Sequence, residues 1–129
     1  MLEEELTRKI IGCAMRVHCT LGNGFQEVIY QRCLELEFQT EQIGYAREVE
    51  MPIFYNGIDV GTRRVDFLVD GIVLVELKAL VQLEDVHLAQ AKNYLEAFHL
   101  DIGLLINFGA KSLEFKRLFR RSEPRFTGF

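Results

Sequence analysis

The stretch that decides the fold runs from Arg63 to Lys78 and reads RRVDFLVDGIVLVELK. Apolar side chains occupy alternate positions on either side of Asp70-Gly71. Alternation with a period of two is typical of β-strands, and an Asp-Gly pair between two such runs is a strong hairpin signal. The segment therefore predicts two antiparallel strands. The apolar positions are Val65, Phe67, Val69, Val73, Val75 and Leu77.

The turn geometry sets which side chains share a face of this hairpin. A two-residue turn would place the acidic side chains on the apolar face, because cross-strand partners point to the same side of a sheet. A three-residue loop of residues 69–71 pairs Asp66 with Leu74 and keeps the apolar positions together. We expect this second register. It places Glu76 and Lys78 on one face, with Asp66 diagonally across from them.

Two carboxylates and a lysine on one strand face have two interpretations. Asp66 and Glu76 would repel each other unless a cation lay between them, and an all-oxygen donor set suits Mg²⁺ or Mn²⁺. Lys78 beside such an ion could activate a water molecule or stabilise negative charge on a phosphate. The alternative is a solvent-facing strand on which Glu76 and Lys78 form a surface salt bridge.

The rest of the chain predicts the element order α-α-β-β-β-α-β-β. Helical spacing of apolar residues predicts helices at about 3–21, 25–39 and 84–98, and strands are predicted at 46–55, 62–69, 72–78, 102–107 and 112–119. In the second helix, the side chains expected to face inward are Val28, Ile29, Cys33, Leu36 and Phe38. This order predicts an α/β (α+β mixed) fold, a mixed sheet flanked by helices, in one domain spanning residues 1–129.

Composition sets limits on function. The 129 residues are 49% hydrophobic and carry a formal net charge of −4. No apolar run approaches the length of a membrane span, the acidic first residues do not resemble a leader, and the three cysteines show no zinc pattern. We therefore expect a cytoplasmic protein with reduced thiols and no membrane partner. Residues 111–129 hold six bases and two acids, either a solvated terminus or a phosphate-facing edge.

Asp66, nine intervening residues and Glu76-Leu77-Lys78 on consecutive strands resemble the metal-binding core of the PD-(D/E)xK nuclease superfamily. Val65 stands where the motif's proline would be. The resemblance implies a restriction-endonuclease-like fold. It also implies a Mg²⁺ or Mn²⁺ ion held by Asp66, Glu76 and the backbone carbonyl of Leu77, with Lys78 as a catalytic residue.

Gly24, Glu27 and Tyr30 have the spacing that names the GxxExxY family, a small branch of these nuclease-like proteins. The resemblance implies that Glu27 is a third metal ligand. Alternatively, with Gly24 as the helix cap, Glu27 is a capping acid at the third helical position. Tyr30 is expected to be a supporting core ring with a hydrogen-bonded hydroxyl group.

The later helix carries His87, Gln90 and Tyr94 on one stripe. In nuclease-like proteins with a Gln-x-x-x-Tyr motif this helix faces the metal. The resemblance therefore implies that Gln90 orients the lysine, a water molecule or a phosphate, and that Tyr94 supports it. The alternative is an ordinary polar helix edge, which we favour for His87.

These residues lead to a predicted Mg²⁺-dependent nuclease acting on DNA more than on RNA. A non-catalytic nucleic-acid or protein binding module that keeps the fold is the alternative, and a hydrolase of small phosphorylated substrates is a third hypothesis. A homodimer is plausible because one small domain offers limited contact with a duplex. The predicted nucleic-acid-binding residues are Arg63, Arg64, Lys116, Arg117, Arg120 and Arg121.

Overall fold

The computed structural model describes residues 3–120 and has the predicted order of elements. Three helices are described: α1 (Glu3–Leu21), α2 (Glu27–Thr40) and α3 (Asp85–Ala97). The strands are β1 (Tyr45–Tyr55), β2 (Ile58–Val69), β3 (Val73–Lys78), β4 (Ile102–Asn107) and β5 (Glu114–Phe119). Within residues 3–120, no helix combines the length and the apolar character that crossing a membrane requires.

The five strands form one mixed sheet in the order β1-β2-β3-β4-β5. The pair β3–β4 is parallel, connected through α3, and the other neighbouring pairs are antiparallel. Asn56 and Gly57 form the tight turn between β1 and β2, and both have the positive φ that this turn requires. Central strands buried on both faces explain why β3 and β4 read as nearly continuous apolar runs.

The two faces of the sheet carry separate cores. Helices α1 and α2 pack on one face, which we call the α1/α2 face, where Phe67, Val75 and Leu104 are buried. Helix α3 packs on the other, the α3 face, where Ala91 and Leu95 are buried. The partly buried Leu88 and Phe98 pack against the same core, and these four residues account for the helical spacing that predicts a helix at 84–98.

The predicted start of the second helix is wrong, and its predicted inward face is wrong in part, although Cys33 packs against the core as expected. Helix α2 begins at Glu27 with Gln26 as its cap, so Glu27 is the first helical residue instead of the third. Val28 and Leu36 are exposed, whereas Phe38 is buried as expected. The buried stripe is Tyr30, Gln31, Leu34 and Phe38. Tyr30 and Gln31 have polar ends, so the apolar pattern of the sequence did not reveal the helical spacing of this stripe.

The predicted register of the β2–β3 hairpin is wrong by two residues. Val69 pairs with Val73 and Leu68 with Leu74, so the three-residue loop is 70–72 instead of 69–71. Because side chains alternate with a period of two, a shift of two leaves the side chains of the paired segment, such as Phe67 and Val75, on their predicted face. The shift moves Asp66 from a diagonal position to one directly opposite Glu76.

The alternation of side chains between the two faces of β2 breaks at Asp66. The β1–β2 ladder runs from Arg47–Phe67 to Val49–Val65 and omits Glu48 and Asp66. Glu48 has a φ of 52°, the left-handed region that non-glycine residues rarely adopt. Across this irregularity Phe67 belongs to the core on the α1/α2 face, whereas Val65 belongs to the core on the α3 face. The prediction that Val65 shares a face with the other odd positions is therefore wrong.

Candidate active site

Asp66 and Glu76 lie opposite each other at the point where β2 and β3 separate. The β2–β3 ladder ends at the pair Phe67–Val75. Beyond it, the Asp66 N–H donates to Glu76 Oε1 at 3.1 Å, and the Leu77 N–H donates to Asp66 Oδ2 at 2.8 Å. Each carboxylate thus takes the place of a backbone carbonyl in the ladder, which fixes the two acids side by side.

Gln31 also holds Asp66, from α2. Its Nε2 donates to Asp66 Oδ1 at 2.8 Å, and the side chain is buried, with 4% exposed. The Gln31 Oε1 has no hydrogen-bond partner among the described residues. Gln31 was missed by the sequence reasoning, although its place one helical turn after Glu27 is a signal that could have found it.

Arg63 faces the same carboxylate pair. Its guanidinium nitrogen lies 3.6 Å from Glu76 Oε2, and its Cζ lies 5.1 Å from the centroid of the Tyr94 ring. The ring on α3 therefore holds the cation over the strand through a cation–π contact. Arg63 was predicted as a nucleic-acid contact, and the structure places it against an acid of the candidate site.

The carboxylates form one electrostatic unit with Glu27 and Lys78. Burial, followed by the neighbouring Asp66 charge, raises the pKa of Glu76 to about 7. Burial also raises the pKa values of Asp66 and Glu27, and Lys78 acts on all three acids in the opposite direction. Glu76 is buried, whereas Asp66 is partly buried and Glu27 is exposed. Acids gathered around a buried carboxylate in this way are typical of functional sites.

The loop before α2 is tied down by Tyr30. The Tyr30 side chain is fully buried, and its ring stacks on Phe108 with centroids 4.6 Å apart. Its hydroxyl group donates to the Gly22 carbonyl and accepts from the Phe25 N–H. The expectation of a core ring with a hydrogen-bonded hydroxyl is confirmed. This anchor sets where the chain enters the helix at Glu27.

Gln90 and His87 do not join the cluster in this arrangement. Gln90 is exposed on α3. The structure records no hydrogen bond from its amide to any residue in the range 3–120. His87 Nδ1 accepts from the Glu84 N–H at 3.0 Å, as part of the cap of α3. The Tyr94 ring contacts the Arg63 guanidinium, which in turn faces Glu76.

Asn107 holds the chain that follows Lys78. Its side chain is fully buried, accepts from the Leu80 and Gly109 N–H groups, and donates to the Leu80 carbonyl and Glu114. A Cβ at Gly109 would lie 2.3 Å from the Leu80 nitrogen, so only glycine fits there. This clamp was also missed as a site feature by the sequence reasoning, and it fixes the strand end that presents Lys78.

The residues predicted to bind nucleic acid do not form one surface, because they lie on both faces of the sheet. Lys116 is level with Glu76, two strands away on the α3 face, whereas Arg117 points to the opposite face and bonds to Thr7 on α1. Arg120 pairs with Asp101 at the far end of the strand. The remaining predicted residues are Arg64, which pairs with Glu50, and Arg121, which lies outside the described residues.

The donor types at this site fit a hard divalent cation such as Mg²⁺ or Mn²⁺, which prefers carboxylate and carbonyl oxygens. The oxygens themselves are engaged: Asp66 accepts from Gln31 and Leu77, and Glu76 faces Arg63. Within residues 3–120, no three acidic, histidine or cysteine side chains are gathered around a common point.

Comparison with known proteins agrees with this geometry. A family model of the PD-(D/E)XK nuclease superfamily matches residues 4–118. No curated protein sequence matches the chain. The crystal structure of SSO0001 is similar in fold, with a TM-score of 0.57 and 19% identity over 74% of this chain, and the match spans 50% of that chain. The predicted restriction-endonuclease-like fold is confirmed, and the chain belongs to the PD-(D/E)XK nuclease superfamily.

Proposed function

We propose that this protein hydrolyses phosphodiester bonds in nucleic acid, DNA more readily than RNA, with Mg²⁺ or Mn²⁺ as cofactor. The observation that carries the proposal is the facing pair Asp66 and Glu76, each hydrogen-bonded to the backbone of the opposite strand. A buried acid and a partly buried acid held side by side are costly unless they serve a cation or share a proton. Membership of a nuclease superfamily supports the first explanation, that the two acids bind a cation.

Asp66, Glu76 and Glu27 would hold the ion, together with the Leu77 carbonyl. The N–H and C=O groups of a strand residue point the same way, and the Leu77 N–H points at Asp66. The Leu77 carbonyl therefore points to the same side of β3, beyond the end of the β2–β3 ladder. When bound, a divalent ion supplies an activated water molecule and neutralises phosphate charge.

Lys78 is proposed as the residue that stabilises the negative charge developing on the phosphate. It follows Glu76 by two positions on β3, and its charge reaches all three acids of the cluster. An ammonium group held beside a reacting phosphate favours the transition state over the ground state. Gln90, exposed on the helix above, is free to orient a water molecule or a phosphate after a side-chain rotation.

We also propose that the chain is a member of the GxxExxY branch. Support comes from the role that each motif residue has in the fold. Tyr30 anchors the loop that contains Gly24, and Glu27 is the first residue of α2 and interacts electrostatically with Asp66. The three-residue spacings therefore match one physical unit, a loop anchor that places an acid at the site.

Cleavage assays test the proposed activity. Purified protein with Mg²⁺ or Mn²⁺ is expected to cut single- or double-stranded DNA, and EDTA should abolish cutting. Lys78→Ala should lower the rate by about 100-fold or more, the usual effect of losing one charge-stabilising group. Lys92→Ala, which removes an α3 lysine outside the cluster, is the matched control. Full activity of Lys78→Ala, or no cutting of DNA or RNA with either ion, would contradict the proposal.

A binding module that retains the fold is the second candidate. The observation that favours it is that protein donors already satisfy the carboxylate oxygens of Asp66 and face Glu76. Calorimetry separates the two functions. Nucleic-acid binding that Asp66→Ala leaves unchanged, without any turnover, would support the binding module instead of the nuclease.

A further inference from the structure

Arg63 lies against Glu76, where a positive charge stabilises the buried carboxylate. Its side chain is 39% exposed, while that of its partner Glu76 is 5% exposed, so the guanidinium covers a buried acid from the solvent side. A guanidinium nitrogen at 3.6 Å from Glu76 Oε2 is within ion-pair range but longer than a good charge-assisted hydrogen bond. The pair is therefore electrostatic and loosely held.

The hydrogen bonding around this pair is incomplete. Two buried side-chain atoms lack a partner among residues 3–120: Arg63 Nε and Gln31 Oε1. Each belongs to a side chain that touches one of the two facing carboxylates, Glu76 and Asp66 respectively. Buried polar atoms are nearly always paired, so two exceptions at one place indicate a site that is completed by something else.

We propose that the Arg63 guanidinium is an internal counter-ion that occupies the cation position on Glu76 and leaves it when a divalent ion binds. The proposal rests on the proposed function in one respect, that the ion binds Asp66 and Glu76. It assigns Arg63 a positioning role at the site itself, which differs from the predicted contact with nucleic acid.

The surroundings of Arg63 allow this exchange. The face of the Tyr94 ring already contacts the guanidinium, with the Arg63 Cζ 5.1 Å from the ring centroid, so the guanidinium can keep this contact after it leaves the carboxylate. The unpaired Nε shows that the present position does not use all five donors of the guanidinium group. A dication between Asp66 and Glu76 also repels the guanidinium, so the two cations compete for one carboxylate.

Competition has a measurable consequence for ion affinity. In the unmodified chain, each ion that binds must displace Arg63 from Glu76. Arg63→Gln removes the competitor, so calorimetric titration with Mn²⁺ alone should show binding about five- to tenfold tighter than in the wild type, the worth of one partly buried ion pair. Arg47→Gln removes an arginine that pairs with Glu35 at 3.4 Å and is the matched control. Its affinity should equal that of the wild type.

A second measurement uses the wild-type protein, so it does not depend on whether a variant folds. In the wild-type protein, the Arg63 Nε–Hε resonance should shift on titration with Mg²⁺, at the same concentrations that shift the backbone N–H of Leu77. The Arg47 resonance should not move. An unmoved Arg63 resonance while Leu77 responds would overturn the proposal.

The outcomes distinguish this proposal from the proposed function. If Asp66→Asn weakens Mn²⁺ binding but Arg63→Gln leaves it unchanged or weaker, the ion site stands and the counter-ion role of Arg63 is overturned. If Asp66→Asn leaves Mn²⁺ binding unchanged, the ion binds elsewhere, and the metal-dependent function fails together with the role of Arg63.

Discussion

Replacing Glu76 by glutamine should stabilise the ion-free protein, and the gain should grow with pH. Glu76 is 4% exposed and lies directly opposite Asp66. Burial and the charge of Asp66 raise its pKa from 4.5 to about 7. Glutamine has nearly the same shape and can still accept from the Asp66 N–H, but it does not titrate. The substitution therefore removes the titration and keeps the packing.

The sign and size follow from proton linkage. The unfolded chain releases the Glu76 proton near pH 4.5, whereas the folded protein holds it until about pH 7. Between these values the folded state binds more protons, so the wild type loses stability as pH rises, and by about pH 8 the loss is roughly 3 kcal/mol. Glu76→Gln avoids this loss, and its stability relative to the wild type should increase by up to roughly that amount.

Urea unfolding in EDTA, followed by circular dichroism from about pH 5 to about pH 8, measures this difference. The chain has no tryptophan, so the helical signal is the better probe. Glu50→Gln, which removes a carboxylate from the exposed pair with Arg64, is the matched control. A stability difference between Glu76→Gln and wild type that is flat, or that shrinks as pH rises, would refute the reasoning.

Three further predictions concern other buried polar groups. Asn107→Ala should lower the free energy of unfolding by about 3 kcal/mol, because it leaves buried backbone groups unpaired; a loss below about 1 kcal/mol in urea unfolding would contradict this. Gln31→Met should weaken Mn²⁺ binding several-fold in calorimetry, since Asp66 Oδ1 loses its donor; equal affinity would show that Gln31 does not position Asp66. Burial raises the pKa of Cys13 to about 11, so a thiol reagent near neutral pH should label the exposed Cys19 and spare Cys13 until the protein unfolds. Labelling of Cys13 in the folded protein would exclude this burial.

Elements with a clear period were predictable from the sequence. The first helix and the strand Ile102–Asn107 lie where the pattern predicts them. The second helix shows the limit of this approach, because its buried stripe includes the polar-tipped Tyr30 and Gln31. Their hydrogen-bond partners, Gly22 and Asp66, are distant in sequence, and burial of polar groups depends on such partners.

The candidate site was likewise predictable from the sequence only in part. The motif indicated Asp66, Glu76 and Lys78, and the apolar alternation predicted that they share a face. The predicted register placed Asp66 diagonally from Glu76 instead of opposite it. Both registers close with a three-residue loop, so they differ in which residues form the loop, and the apolar pattern cannot distinguish registers that differ by two. The proposed roles of these residues, and the predicted homodimer, stay predictions that experiments must test.

The sequence by itself determined the order of the elements and the superfamily motif, because these depend on local periodicity and spacing. The tertiary structure alone decided that Asp66 faces Glu76, that Gln31 holds the first acid, and that Arg63 covers the second. Those contacts join α2, β2 and β3, and they depend on register and helix rotation. Both are set by packing of the whole sheet, which no local pattern records.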